Sequence, residues 1–543
     1  MHRDVAQLTA RTFDVLVVGG GVYGLTIAYD AAQRGLAVAL VERGDFGSGS
    51  SFNHLRTIHG GLRYLQTLDV VRARESVRER RTLARIAPHA VQPLPFALPL
   101  YRSLTNGKMA MRTGFLLDRL VAYGGNRGVP VSHRLPGGRV VSRSEAIQQC
   151  PGARRQGLTG AAIWHDYVTP ESDRLTFDWA QAAAEHGATL ANYVEAVAPL
   201  LVGRRVVGVR ATDRQSGQEV EIGARVTVNA TGASVDRLLG PLATSTRIPL
   251  LKAMNLVTRR DAGNHALGGR AASGRHLFLV PWRERALFGT WESSRPCAAD
   301  DTGVTEAEIA GFIAELNQAF PSLDLTMGDI TLVHRGVVPA VVTANGRAVL
   351  AGHEQIRDHA REGIEGLVSV AGTKYTTARA VAERLTDRVL VKLQHAPVPC
   401  RTAATPLPGG SLRDVTLTIA DARREHDSML PSDTIPHLVA AYGSRYGEVL
   451  EIAVDRPDWR TRVADSSPVI GAQLVWAVRH EMAVTVNDAV IRRTPLGALG
   501  YPGDIAAQRA ANIAGAELGW SEERKREEIG ALRRFYAIGG GQG

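Results

Sequence analysis

The order of apolar and polar positions near the start of the chain predicts the first strands of an α/β domain. Residues 14–18 form a short β-branched run with the continuous hydrophobicity expected of a parallel strand buried on both faces. Residues 25–33 have the composition of a helix, and residues 37–41 form a second apolar run. A strand, a helix and a second strand in this order are typical of a nucleotide-binding sheet.

A glycine-rich turn joins the first strand to the helix. We expect Gly19 to permit the tight turn, Gly21 to let the backbone approach a pyrophosphate, and Gly24 to let the helix pack closely on the strand. The helix N-terminus then offers free N–H groups to the anion. Glu42 ends the second strand, where it can accept hydrogen bonds from the adenosine ribose hydroxyls and would repel a 2′-phosphate. The pattern predicts a dinucleotide site and disfavours NADP.

Two later segments favour FAD over NAD. Residues 201–228 alternate like a β-meander, and the chain then returns to the dinucleotide fold through Ala230, Thr231 and Gly232. An apolar run at 367–371 and a helix over 378–389 flank a second junction, which consists of Gly372, Thr373, Lys374, Tyr375 and Thr376. Amides at the start of that helix can face an electron-rich flavin oxygen. The alternative is an ordinary helix cap by Thr376 or Thr377.

The same pattern divides the chain into three parts. We predict an FAD-binding domain over residues 12–245 and 343–395, with a loop-rich insertion at about 93–138 that forms a mobile edge of the active site. A strand-rich cap over the substrate is predicted for 246–342. A linker rich in proline leads to a mostly helical domain over 409–536.

Composition changes this picture little. The net charge of +10 is compatible with an acidic substrate or an anionic membrane surface, and no nucleic-acid-binding pattern accompanies it. The arginine-rich stretch 72–85 also holds Glu75 and Glu79, which predicts a solvated, salt-bridged helix face. No signal peptide is visible. Three widely separated cysteines indicate a reducing compartment and no metal site: Cys150, Cys297 and Cys400.

Several motifs resemble one family, the quinone-linked, FAD-dependent glycerol-3-phosphate dehydrogenases. Residues 58–64, which include His59, Gly60 and Gly61, are similar to that family's I-H-G-G-x-R-Y signature. Residues 372–377 look like its G-G-K-x-T-T segment, with Thr373 in place of the second glycine. Residues 171–175 loosely fit a D-D-x-R-L element, and 475–493 resemble a helix of its C-terminal domain.

The resemblance implies a fold, a cofactor and a location. The fold would be a glutathione-reductase-like FAD-binding domain with a β-rich substrate cap and a C-terminal α-helical domain. The enzyme would oxidise sn-glycerol 3-phosphate to dihydroxyacetone phosphate. It would be cytoplasmic, peripheral on the inner face of the membrane, and would pass electrons to quinone.

Departures from the family pattern fall on the residues that hold the substrate phosphate. Val338 stands where the family strand G-V-R-P has an arginine, and a second family arginine is replaced in the region 350–353. Asn255 stands at the position of a family histidine. Arg335 is three residues from Val338, so on a strand it points to the opposite face, whereas Arg347 lies nearer the second lost arginine. The substitutions favour a changed substrate, such as an unphosphorylated polyol or a sugar-like alcohol, and glycerol 3-phosphate remains the reference substrate.

Hydride transfer from an alcohol to flavin needs a base for the hydroxyl proton and a charge near the reduced flavin. His59 is the candidate base, because histidine titrates near neutral pH, and its alternative role is to hold the Gly60-Gly61 loop against the flavin ring. Lys374 is placed to stabilise reduced flavin or a substrate oxygen. Arg56 aligns with a family lysine and is expected to contact substrate, and Asn255 is a polar wall of the pocket.

Two other classes of protein share the features found so far. An FAD-dependent amine or amino-acid oxidase has the same fold and the same hydride chemistry. A flavoprotein without this turnover would keep FAD and lose the substrate contacts. The loop at His59 and the helical C-terminal domain favour the dehydrogenase.

Overall fold

The computed structural model describes residues 1–65, 69–102, 107–150, 152–242, 247–412, 414–426 and 430–538 of the 543-residue chain. In chain order its strands are β1 Phe13–Val18, β2 Val38–Val41, β3 Thr57–Ile58, β4 Gln92–Tyr101, β5 Arg139–Val141, β6 Leu158–Val168, β7 Thr189–Ala191, β8 Val194–Val202, β9 Arg205–Asp213, β10 Glu219–Asn229, β11 Leu250–Thr258, β12 Ala266–Arg270, β13 His276–Trp282, β14 Arg285–Glu292, β15 Ile330–Val342, β16 Ala348–Leu350, β17 Gln355–Asp358 and β18 Leu367–Ala371.

The α-helices follow the same order along the chain. They are α1 Val5–Thr9, α2 Val22–Gln33, α3 Leu62–Leu65, α4 Val70–Ile86, α5 Lys108–Val121, α6 Arg143–Gln149, α7 Ser172–Glu185, α8 Val235–Leu239, α9 Glu306–Ala319, α10 Ala378–Lys392, α11 Val415–His426, α12 Thr434–Tyr442, α13 Tyr446–Asp455, α14 Gly471–His480, α15 Asp504–Leu518 and α16 Glu522–Tyr536. None of the described helices is both long and apolar enough to cross a membrane.

The first sheet is the predicted nucleotide-binding sheet. Its main path runs β17-β18-β10-β1-β2-β7, and β8 and β9 extend β10 as an antiparallel meander. The strands β18, β10, β1, β2 and β7 are parallel to one another. Helices α2, α7 and α10 pack together against these strands and share their main hydrophobic core. The apolar runs at 14–18, 37–41 and 367–371 are buried strands of this sheet, as their continuous hydrophobicity predicts.

The second sheet forms the cap, and it draws on more of the chain than the sequence pattern predicts. Its main path is β16-β15-β11-β14-β13-β12-β4-β6-β3, and β5 pairs with β6. The strands β3 to β6 therefore belong to the cap sheet, although they lie inside the segment 12–245 assigned to the FAD-binding domain. The predicted boundary between residues 245 and 246 lies outside the described residues.

The prediction of a loop-rich insertion at 93–138 is wrong for β4 and α5. Pro93, Pro95 and Pro99 indicate a loop in the sequence, yet all three lie on β4, which pairs with β6 along its length. The three prolines are all at odd positions, so their missing N–H groups fall on one side of the strand and the hydrogen bonds on its other side can be kept.

The prediction of a solvated face on α4 is wrong for Glu79. This side chain is buried and accepts two hydrogen bonds from Arg379 of α10, at 2.6 and 2.7 Å. Glu75 is half-buried and pairs with Arg384 of the same helix. The acidic residues of α4 therefore bind α10 rather than water.

The helical C-terminal domain is present, but the helix predicted over 475–493 is broken. Helix α14 ends at His480, and the chain resumes as a π-helical turn over Asp488–Arg493. Glu481 at the break is buried and accepts hydrogen bonds from Trp476 at 2.8 Å and Arg174 at 2.6 Å. The break therefore coincides with a buried contact between this domain and α7.

A buried carboxylate ties the C-terminal domain to the loop that follows β2. Asp45 accepts hydrogen bonds from Arg492 at 2.6 Å, from both terminal nitrogens of Arg493 at 2.7 Å, and from Asn192 at 3.1 Å. Burial alone would raise the pKa of Asp45, but Arg493 and Arg492 outweigh it and hold the pKa below its usual value. Arg493 also stacks on Phe177, 4.0 Å from the ring centre.

We expect Asp45→Asn to lower the free energy of unfolding by about 3–5 kcal/mol, because it leaves the buried Arg493 without its counter-charge and leaves Arg492 with Asp488 alone. The measurement is urea unfolding. Asp421→Asn is the matched control, since Asp421 pairs with Arg424 on an exposed face and should contribute less than about 1 kcal/mol. Equal unfolding curves for the two variants would show that the Asp45 network does not stabilise the fold.

Candidate active site

The glycine turn after β1 lies against the end of β10. Gly19 has φ +108, and a side chain there would meet the backbone carbonyl of Ala230 at 2.6 Å. A side chain on Gly24 would collide with the carbonyl of Gly19. Ala230 donates its N–H to Val18 at 2.8 Å. The structure thus brings together the two segments, Gly19–Gly24 and Ala230–Gly232, that the sequence assigns to one dinucleotide.

Helix α2 begins at Val22 without a side-chain cap. Gly21 is its N-cap residue and makes no side-chain hydrogen bond to the helix. The hydroxyl of Ser51 accepts a hydrogen bond from the N–H of Val22 at 2.9 Å. Ser51 therefore borders the N-terminus that would receive a pyrophosphate, and sequence reasoning missed it because a serine thirty residues away carries no local signal.

Glu42 lines a cleft beside this turn. Its carboxylate accepts hydrogen bonds from Gly20 at 2.6 Å and from Gly44 at 2.8 Å. Burial raises the pKa of Glu42, and the two amides partly offset that rise. Each carboxylate oxygen has a further lone pair for a ribose hydroxyl. Other residues that line the cleft are Val18, Gly19, Arg43, Val194, Thr231 and Arg237.

The second predicted junction lies between β18 and α10, and the N-cap residue of α10 makes no side-chain hydrogen bond to the helix. Thr377 is the N-cap residue of α10 and its side chain makes no capping hydrogen bond, which disfavours the alternative of an ordinary Thr377 cap. A side chain on Gly372 would collide with the hydroxyl of Tyr23, which donates to the carbonyl of Lys374 at 3.1 Å. Thr373 donates to the carbonyl of Ala351 at 2.9 Å. Thr376 is half-buried beside this N-terminus.

These residues fit FAD. The glycine turn and the N-terminus of α2 would bind the pyrophosphate, Glu42 would bind the ribose, and the N-terminus of α10 would offer amides of positive polarity to the flavin. Tyr375 connects this junction to the loop before β3 and to α7, because its ring stacks on His54 at 4.7 Å and its hydroxyl contacts Thr176 at 2.8 Å.

His59 is the most exposed of the predicted catalytic residues. Its side chain is 48% exposed, and its Nδ1 lies 3.6 Å from a carboxylate oxygen of Asp166. Its Nε2 lies 2.7 Å from the hydroxyl of Thr57. An imidazole between a carboxylate and a hydroxyl has a fixed orientation, as a general base requires.

Asp166 organises the loop around His59, and sequence reasoning missed it. It is buried and accepts hydrogen bonds from the N–H of Gly60 at 2.7 Å, from Trp164 at 3.2 Å and from Arg80. Burial raises the pKa of Asp166, but Arg80 and His59 lower it to below the usual value. The only available signal is an acidic residue inside the apolar run that becomes β6.

The glycines of the loop are required by close packing. A side chain on Gly60 would collide with the guanidinium of Arg80, and Gly61 has φ +81 and lies against Ser76 of α4. The N–H of Tyr64 bonds to the carbonyl of Gly61 at 2.9 Å. The loop is therefore held between α4 and β6. The side chain of Arg63, in the same motif, lies outside the described residues.

Arg56 is buried rather than open to a pocket. It pairs with Asp173 at 2.9 Å and lies 4.3 Å from the ring centre of Trp282. Its Nε and one Nη have no protein partner. A direct contact between Arg56 and substrate stays a prediction.

Asn255 lies in a group of buried polar side chains with unpaired atoms. Its amide donates to the carbonyl of Asn53 at 3.2 Å, while its Oδ1 has no partner. His334 on the neighbouring strand has no partner at either ring nitrogen, and His54 has none at Nε2. Burial lowers the pKa of His54 to about 3, so its ring is neutral. Such unpaired buried atoms are suited to binding hydroxyl groups.

Arg335 does not replace the arginine missing at Val338. It is buried and donates to the carbonyls of Ala537 at 3.1 Å and Phe535 at 3.4 Å. Val338 instead packs with Leu251 and other apolar residues of β15 and β16. The two side chains thus lie in different surroundings, as their odd separation on a strand predicts.

Comparison with known proteins identifies the class. Residues 14–388 match the family described as FAD dependent oxidoreductase, and residues 400–525 match the C-terminal domain of alpha-glycerophosphate oxidase. The chain belongs to the FAD-dependent oxidoreductase family, and the predicted fold and the predicted cofactor, FAD, are confirmed.

Several similar proteins are named glycerol-3-phosphate dehydrogenase. The chain is 31% identical to a glycerol-3-phosphate dehydrogenase of Synechocystis over 97% of both chains. It is 32% identical to one of Mycobacterium leprae, over 95% of this chain and 87% of the relative. The crystal structure of glycerol-3-phosphate dehydrogenase from Bacillus halodurans, complexed with FAD, superposes with a TM-score of 0.77 and 25% identity over 98% of this chain and 96% of that one. These relatives confirm the family resemblance seen in the motifs.

We expect Gly24→Ala to lose bound FAD, because the added methyl group would force α2 away from the turn at Gly19. The measurement is the ratio of visible flavin absorbance to protein absorbance after purification. Gly311→Ala is the control, since it adds the same atom to α9 in open space. A full complement of FAD in Gly24→Ala would contradict the assignment of this turn.

Proposed function

We propose that this FAD-dependent oxidoreductase oxidises a secondary alcohol, as the name glycerol-3-phosphate dehydrogenase implies for its relatives. The observation that carries the proposal is the His59–Asp166 pair beside the Gly60-Gly61 loop. A carboxylate-oriented imidazole is the kind of group that removes a hydroxyl proton.

Each residue has a distinct part in this chemistry. FAD, when bound, accepts the hydride from the carbinol carbon. His59 takes the hydroxyl proton, and Asp166 holds the imidazole and carries the balancing negative charge. Lys374, at the junction before α10, supplies positive charge where electrons accumulate. The buried group around Asn255 and His54 orients the other hydroxyls of a polyol.

On the cap side of the site, the residues that would bind the substrate differ from those of the family pattern. Val338 packs in an apolar cluster, and Arg335 points to the C-terminal helix. The cap strand therefore offers no guanidinium at this position for a phosphate. Two substrate classes are therefore to be compared. One is glycerol 3-phosphate bound through other residues, and the other is an unphosphorylated polyol or sugar-like alcohol.

We expect His59→Gln to lower kcat by about 10²–10⁴-fold with glycerol 3-phosphate or the active polyol, because the proton has no base. The measurement is steady-state turnover with a soluble dye as electron acceptor. His395→Gln is the control, since among the described residues the side chain of His395 has a hydrogen bond only with the adjacent carbonyl of Ala396. Unchanged kcat in His59→Gln would assign His59 to holding the loop and would refute its role as the base.

We further propose that the protein works on the cytoplasmic face of a membrane and passes its electrons to quinone. Helix α5 supports this, because one side of it is apolar and exposed: Met109 is 71% exposed, Leu116 61% and Leu120 74%. Tyr123, just beyond it, is 92% exposed. The opposite side of the helix is anchored in the protein by the buried Met111 and Phe115.

Basic residues flank the apolar side of α5. Arg112 and Arg119 are exposed on the helix, and Arg81, Arg85 and Arg127 lie close to its end. An apolar face with cationic neighbours suits the interface of an anionic bilayer. The three free cysteines agree with a reducing compartment.

We expect the protein to sediment with vesicles of phosphatidylglycerol and phosphatidylcholine, and the variant Leu116→Glu with Leu120→Glu to remain in the supernatant. The added charges would have to enter the apolar part of the interface. Leu417→Glu, at a position 65% exposed on α11, is the control and should still sediment. Equal sedimentation of all three proteins would exclude α5 as the docking surface.

A further inference from the structure

A third charged side chain accompanies the pair formed by His59 and Asp166. The guanidinium of Arg80, on α4, donates to one carboxylate oxygen of Asp166, and the Nδ1 of His59 lies 3.6 Å from the other oxygen. Asp166 is buried and Arg80 is half-buried, whereas the imidazole is open to solvent. The carboxylate therefore lies between a guanidinium inside the protein and an imidazole at its surface.

Backbone contacts fix the Arg80 side chain where it meets the carboxylate. The same Nη1 that donates to Asp166 also donates to the carbonyl of His165, at 3.2 Å. Gly60 leaves the space that the guanidinium occupies, because a side chain there would collide with it. The N–H of Gly60 donates to the same carboxylate oxygen as Arg80, at 2.7 Å. The loop that carries the proposed base is therefore packed directly against Arg80.

The carboxylate and the guanidinium have opposite effects on the imidazole. A carboxylate near an imidazole stabilises the protonated ring, which cannot take a proton from an alcohol. A guanidinium bound to that carboxylate offsets its negative charge and disfavours the protonated ring. Burial alone would raise the pKa of Asp166, and Arg80 is the largest of the causes that lower it. Arg80 thus acts on the charge of the carboxylate that faces His59.

The titratable groups that face this cluster come from the loop before β3, from β6 and from α5. Burial lowers the pKa of His54 to about 3 and also lowers the pKa of His165, so both rings are neutral above pH 7. Burial raises the pKa of Tyr167 to about 12, so its hydroxyl keeps its proton. Asp118, on α5, faces Arg80, and burial raises its pKa while Arg80 partly offsets the rise.

We propose that Arg80 is a positioning residue for the proposed base. Through Asp166 it fixes the orientation of the His59 ring and keeps that ring deprotonated near neutral pH. The inference rests on the proposed function, in which His59 takes the hydroxyl proton of the alcohol. Without Arg80, the imidazole would face a carboxylate whose charge is not offset, and a larger fraction of the rings would be protonated and inactive.

The first test follows kcat against pH, with the FAD-loaded protein and a soluble dye as electron acceptor. In Arg80→Gln the midpoint of the acid limb should rise by about one pH unit, because one positive charge near the imidazolium is lost. The loss of kcat should be about tenfold below the midpoint and should disappear at high pH. Arg80→Lys keeps the charge and should restore most of the midpoint.

Arg74→Gln is the matched control, since it removes the same charge from an exposed position on the same helix and should leave the midpoint unchanged. A loss of kcat in Arg80→Gln that is equal at every pH would assign Arg80 a structural role alone and would overturn the inference.

Reaction with diethyl pyrocarbonate gives a second readout that needs no turnover, since only the neutral imidazole reacts. Residues 57–63 form one tryptic peptide in which His59 is the single histidine, so mass spectrometry follows this ring alone. The pH midpoint of the modification rate should also rise by about one unit in Arg80→Gln. Equal midpoints in the wild type, Arg80→Gln and Arg74→Gln would contradict the inference.

Two further variants identify the groups through which Arg80 acts. In an Asp166→Asn background, Arg80→Gln should move the midpoint less than half as far, because the charge that Arg80 offsets is already gone. A full shift in that background would show that Asp166 does not mediate the effect. The acid limb should persist in Asp118→Asn, and its loss would identify Asp118 as the titrating group and refute the role of Arg80.

The two readouts separate this inference from the proposed function. If no alcohol is oxidised, or if His59→Gln turns over like the wild type, the proposed function fails, while the modification midpoint still measures the effect of Arg80 on the ring. If His59→Gln loses turnover but the midpoints of the wild type and Arg80→Gln are equal, the inference fails and His59 remains the base.

Discussion

The buried contact between Asp45 and the pair Arg492 and Arg493 is the constraint on which the site depends. Asp45 lies on the segment between β2 and β3, and that same segment carries Glu42, Ser51 and Arg56 before it reaches His59. One end of the segment is fixed by β2 in the nucleotide-binding sheet, and the other end pairs with β6 in the cap sheet. Arg492 and Arg493 of the C-terminal domain bind the middle of this segment, so that domain helps to fix the position of the residues proposed to surround the flavin.

Each of the two sheets supplies one part of the site. The nucleotide-binding sheet supplies two helix N-termini without side-chain caps, at α2 and α10, and these suit an anionic, electron-accepting cofactor. The cap sheet supplies a wall of buried polar atoms at Asn255 and His334. His59 lies where the two meet, on the loop that Asp166 of the cap sheet holds in place.

The sequence could predict what depends on local pattern. The strand β1 and the turn at Gly19 follow from consecutive apolar residues and from spacing that only glycine satisfies. The sequence-based prediction was wrong at β4, where three prolines lie on a strand that pairs with β6 along its length. The prediction that Glu79 is solvated was also wrong, because its partner Arg379 is 300 residues away in the chain.

In the candidate site, too, contacts between residues far apart in the chain could not be predicted from sequence. His59 stands in a recognisable motif, so it could be named from sequence, but its partner Asp166 could not. An acidic residue in a strand resembles many others until the chain folds and its neighbours are fixed. Here the tertiary contact with Asp166 orients the candidate base His59.

Anaerobic reduction of the bound flavin tests the central claim most directly. The FAD-loaded protein is mixed with glycerol 3-phosphate, glycerate, glycerol or an amino acid in the absence of oxygen, and the visible flavin absorbance is followed. The account predicts full bleaching by at least one of the secondary alcohols and none by the amino acid. Bleaching by amino acids alone, or by none of these compounds, would contradict it.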